Sequence, residues 1–134
     1  MALREPNEAD YKLVKERLDN FKSDRAGHGG LLLTRLFVIQ SDLKGGMPAR
    51  DEGKIVLEKL CKPLMAEGDH ATYIKAMASG NNTDKFILRN FRLITEVLME
   101  VMDKEKCLYD IGQKRALERV MECVIKCITI YFKE

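Results

Sequence analysis

"RAGHGGLLLTRLFVIQ", residues 25–40, sets three glycines and a histidine directly before ten mostly apolar residues. Whether residues 31–39 form a helix or a buried strand decides the fold class, because a short apolar run bounded by glycine fits either. Two observations favour helix. Leu32, Leu36, Ile39 and Leu43 keep helical spacing beyond strand length, and no second convincing strand exists for a partner. Leu31, Leu33, Phe37 and Val38 fill the other faces, so a helix over 31–43 is expected to be buried nearly all round. Gly27, Gly29 and Gly30 then read as a hinge using positive φ. His28 would be the exposed titratable group of that loop, and Arg25 and His28 could flank an anion at the next helix start.

Working outward, residues 7–22 predict an amphipathic helix. Asn7 and Asp10 sketch a capping box, Tyr11, Val14, Leu18 and Phe21 form its stripe, and Lys15 could pair with Asp19. Residues 51–62 form another, with Ile55, Leu57, Leu60 and Cys61 inward and Pro63 ending it at Lys62. Asp69 is placed to cap a helix to Ser79 with Tyr73, Ile74 and Met77 inward. Two long helices close the chain. Thr83 is the cap expected for the first, and Ile87, Phe91, Ile94, Leu98, Val101 and Met102 its buried face. The second runs from Gln113 to the end on Leu117, Met121, Val124, Ile128 and Tyr131. The segment "KEKCLYDIG" between them reads as a turn or helical stub. The sum is an all-α, single-domain bundle over 1–134 of about six or seven helices, two of them long and C-terminal.

The totals bound the function. A net charge of +2 gives no general preference for polyanions, so nucleic-acid binding would need a local patch. The N-terminus lacks an apolar leader and no stretch is long enough to span a bilayer, which points to an intracellular protein, cytoplasmic or nuclear, with reduced thiols.

Enzyme chemistry finds little support. The Gly-rich loop would suit an oxyanion only beside a nucleophile elbow, and no Gly-x-Ser-x-Gly exists. "GGMPARDEGK" fails as a phosphate loop because Pro48 stands where glycine is needed and Ile55 replaces the hydroxyl. Cys123 and Cys127 share a helix face, with Cys107 and His70 as conceivable co-ligands. No Cys-x-x-Cys pair supports zinc, and no histidine is visibly paired with a cysteine nucleophile. The expectation is therefore a non-enzyme with no cofactor and no metal.

Two binding readings follow. The first is a protein-interaction domain (adaptor, regulator or inhibitor), with a second copy of itself (a homodimer) among the partners open to it, using surplus apolar surface at Ile125, Ile130 and Phe132. The second is nucleic-acid or anionic-ligand binding through Lys85, Arg89 and Arg92 on one helix face, joined by Lys114, Arg115 and Arg119. Salt dependence separates them. No quotable stretch resembles a known family.

Overall fold

The computed structural model describes residues 5–22, 25–104 and 111–133. They form seven α-helices and two 3-10 turns, with no strand among the described residues: α1 (Glu8–Lys22), α2 (Arg25–Val38), turns at Gln40–Asp42 and Arg50–Glu52, α3 (Gly53–Leu64), α4 (His70–Ala78), α5 (Asn82–Arg89), α6 (Phe91–Lys104) and α7 (Ile111–Tyr131). The all-helical expectation holds, and 31–38 is helix. The 104–112 stub falls largely on residues 105–110, outside the described residues.

The glycine hinge is not there. Gly27, Gly29 and Gly30 lie inside α2, and the described glycines with positive φ are Gly45 at 82° and Gly68 at 97°. The glycines serve a close approach instead. A Cβ on Gly29 would stand 2.6 Å from the Gly53 carbonyl group, and one on Gly53 would stand 2.4 Å from the Gly29 oxygen. Helices α2 and α3 therefore cross backbone to backbone, which only glycine at both positions permits.

This crossing corrects two faces. α2 buries Leu32, Leu33 and Leu36 but leaves Leu31 partly out and Val38 71% exposed, so it is not buried all round. In α3 the inward residues are Val56, Leu57, Leu60, Cys61 and Leu64, while Ile55 turns outward. Helix α3 also runs past Lys62 to Leu64. Pro63 sits in the last turn, and the Met65 N–H closes that turn on the Cys61 carbonyl at 2.9 Å.

The first long C-terminal helix is two helices. Asn90 breaks it: its Nδ2 donates to the carbonyls of Lys44 and Phe86, both at 2.9 Å, and its Oδ1 accepts from the Lys44 N–H at 2.7 Å. An asparagine side chain that satisfies backbone groups elsewhere releases the helix it sits in. The cap of α5 is Asn81, not Thr83. Asn81 and Asp84 form a complete capping box, and Asn7 and Asp10 exchange the same two bonds at the start of α1. Lys15 reaches Glu67 at 3.6 Å.

The core gathers Leu18 and Phe21 of α1, Leu32 and Leu36 of α2, Leu57 and Leu60 of α3, and Ile94 and Leu98 of α6, with Val120 and Val124 of α7 sealing it. The chain's ends meet through α1 and α7, where Arg119 grips Asp10. No described helix is long and apolar enough to cross a membrane.

Candidate functional site

The apolar residues expected at the surface do not form one face. Ile125 and Phe132 pack against the core, and only Ile130, at 61% exposure, stands out. The basic residues are brought together only in part. Arg119 holds Asp10 through two bonds at 2.7 and 3.2 Å. Arg92, past the break at Asn90, binds Glu122 across α6 and α7 and still lines a groove with Arg89 and Lys44. Arg92 and Lys114 line a groove with Glu96, Glu100, Asp103, Glu118 and Glu122, so that face carries more negative charge than positive. Arg115 is exposed on α7. Lys85 and Arg89 line a small groove beside Tyr131, Phe132 and Lys133.

Both histidines do the same structural job. Each reaches back seven residues to a carbonyl in the last turn of the preceding helix. His28 donates from Nδ1 to the Phe21 carbonyl at 2.7 Å and stacks on the Phe21 ring, 4.0 Å between centroids and 3° from parallel. His70 donates from Nδ1 to the Pro63 carbonyl at 2.6 Å. Last-turn carbonyls have no partner within their own helix, and an imidazole N–H supplies one. The Tyr11 hydroxyl stands 3.4 Å from the other nitrogen of His70. Burial lowers the pKa of His70, which keeps this tautomer neutral. Burial first, and Cys123 second, push Tyr11 up to about 12. The Cys127 thiol is raised by burial, which makes it a poor nucleophile. Among the described residues no three of His, Cys, Asp and Glu converge on a metal position.

Helices α3 and α5 face each other through polar groups. Lys59 Nζ meets Asp84 Oδ1 at 2.6 Å, with only 26% and 13% of the two side chains exposed. Just before α3, at the end of the 3-10 turn, Glu52 accepts from the Thr83 hydroxyl at 3.1 Å. Sequence reading gives none of these four residues a part in a site: Thr83 is expected as a helix cap and the other three go unmarked. Only the Asn81–Asp84 spacing was there to flag the site, since Lys59 and Glu52 look like ordinary surface charges.

Comparison with known proteins decides the family. No family model and no solved structure matches the chain. Among curated proteins it is 40% identical over 141 residues to the myoglobin of Cyprinus carpio, spanning 93% of this chain and 95% of that protein. The myoglobins of Danio rerio, at 40%, and Sarda chiliensis, at 35%, match 94% of this chain and 96% of their own lengths. The chain belongs to the myoglobin family. This overturns the reading as a protein-interaction or regulatory domain, with its nucleic-acid alternative.

Membership raises the question of haem, which globins pack among their helices with the iron held by a proximal histidine. This globin has two histidines. His70 is 1% exposed, with one nitrogen on a carbonyl and the other against Tyr11. His28 is pinned to Phe21 by its Nδ1 and its ring face. An Nδ1–H bond to a carbonyl leaves Nε2 able to hold iron, but the Nε2 of His70 faces the Tyr11 hydroxyl inside the closed core, and neither histidine lines the groove beside α3 and α5. Helices α3 and α5 are in direct contact rather than parted by a slot. The groove beside them, of about 320 Å³, is lined by Lys59, Lys62, Tyr73, Ala76, Met77 and Asp84 and contains no histidine. The residues present do not fit a histidine-held haem.

Proposed function

We propose that this chain is a non-enzymatic globin that keeps the helical scaffold of the myoglobins without their histidine-held haem, and that oxygen storage of that kind is not its role. One observation carries the reading: neither histidine of the chain lines the groove beside α3 and α5, and His70 is enclosed in the core with its Nε2 against Tyr11. The absence of enzyme chemistry is supported by the raised pKa values of Tyr11 and Cys127, which leave both groups protonated at neutral pH. An intracellular setting is supported by the free thiols of Cys123 and Cys127.

A second reading, oxygen binding at haem, is favoured by identities of 33–40% to named myoglobins over 93–94% of the chain. One experiment separates the two. Haemin is titrated into the purified chain, and the haem absorption band is followed before and after reduction and exposure to oxygen. The expected result is the spectrum of free haemin throughout. A saturable one-to-one shift to a histidine-ligated spectrum, reversible with oxygen, overturns the proposal and assigns the function of the relatives.

A further inference from the structure

We infer that the Lys59–Asp84 ion pair is a lock that holds α5 on α3 in the cofactor-free chain, with Asp84 as its positioning residue. The inference rests on the haem-free reading above. Short helices are marginal by themselves, and α5 has eight residues. It therefore needs an external anchor, and Asp84 provides one while also starting the helix. Its Oδ2 accepts the Asn81 N–H at 3.0 Å in the capping box, and its Oδ1 meets Lys59 at 2.6 Å. Both oxygens are thus engaged in opposite directions, one within α5 and one across to α3.

The surroundings are built to this carboxylate. A Cβ on Gly80 would lie 2.0 Å from Asp84 Oδ2, so glycine is required for the carboxylate to fold back over the helix start. Asp84 itself is 9% exposed, and a buried carboxylate without a cation is costly. Lys59 is the cation that reaches it. The Glu52–Thr83 bond adds a second tie one residue away, so the first turn of α5 is held at two adjacent positions. Phe86, Ile87 and Leu88 then fill the space beneath α5 with side chains.

Amide hydrogen exchange on the cofactor-free chain tests the lock, because it reads local opening helix by helix. In the wild type, α5 amides should be protected as well as those of α6. Lys59→Met should speed α5 exchange about tenfold, the scale of one lost interaction of about 1.4 kcal/mol, and leave α1 and α7 unchanged. Lys59→Arg, which keeps the charge and the reach, should restore protection. Wild-type α5 that exchanges freely and is protected only on adding haemin overturns the lock. Protection that is unchanged in Lys59→Met, or lost equally in every helix, also overturns it. Haemin titration of the same samples keeps the two ideas apart. A chain that binds haemin yet shows Lys59-dependent α5 protection retains the lock and loses only the haem-free reading.

Discussion

Gly29 and Gly30 are neighbours in one helix and should respond in opposite ways to the same substitution. Alanine at 29 places a Cβ 2.6 Å from the backbone of Gly53, where no flexible side chain can yield. The helices must separate, and a loss of about 1–3 kcal/mol is expected, as for overpacking elsewhere. Alanine at 30 meets nothing within 4 Å, so it should stabilise by about 0.5–1 kcal/mol through helix propensity alone. Urea unfolding of the two variants checks both. At the same scale, His70 ties stability to pH. Burial holds its folded pKa below the ordinary 6.5. As pH falls through 6.5 the unfolded chain takes up a proton that the folded ring resists, so its stabilising effect, complete above 6.5, is lost downward. The wild type should therefore lose urea midpoint between about pH 7 and pH 5, and His70→Gln should flatten that slope. An equal slope in the variant would assign the loss to carboxylates.

Elements were more legible than their boundaries. Caps and 3.6-residue periodicity act locally, and so the start of α1, the stripe of α6 and that of α7 as far as Val124 follow from residues close in sequence, whereas Tyr73 and Tyr131, expected inward, are exposed and Asp69 makes no side-chain cap bond. The errors have non-local causes. Asn90 interrupts a helix-compatible run because its side chain is drawn to Lys44, 46 residues away. The Gly-rich segment stays helical because a second helix lies against it. The same distinction governs the last helix. Ile125, Ile130 and Phe132 look alike in the sequence, yet only Ile130 is exposed. Ile130→Asp should leave the thermal midpoint within the small range of surface changes, about 0.5 kcal/mol. Val124→Asp, on the fully buried face, should prevent folding. Circular dichroism melts of the two variants settle which face is core.

At the scale of the molecule the family was not legible, for a physical reason. A binding motif is recognised from residues that hold something, and both histidines here hold helix ends. The relatives share pattern over the whole chain, which no single stretch reveals. What the whole-chain view does expose is the joint between first and last helices. Asp10 is 3% exposed by side chain, Arg119 is 13% exposed, and the guanidinium donates two hydrogen bonds to the carboxylate across 109 residues of sequence. Asp10 also completes the cap of α1, so the ion pair and the helix start depend on one carboxylate. Removing either partner of such a buried pair takes two charged hydrogen bonds from the other. Arg119→Met should cost about 3–5 kcal/mol. Asp10→Asn keeps a side-chain oxygen for the cap but abandons the guanidinium, and should cost nearly as much. The exposed bridge from Lys126 to Glu5 joins the same two ends of the chain, yet Lys126→Met should leave the urea midpoint unmoved, because water and salt already screen that pair. If Arg119→Met and Lys126→Met shift the midpoint equally, closure of the chain ends rests on the packing of α1 against α7 and not on the buried pair.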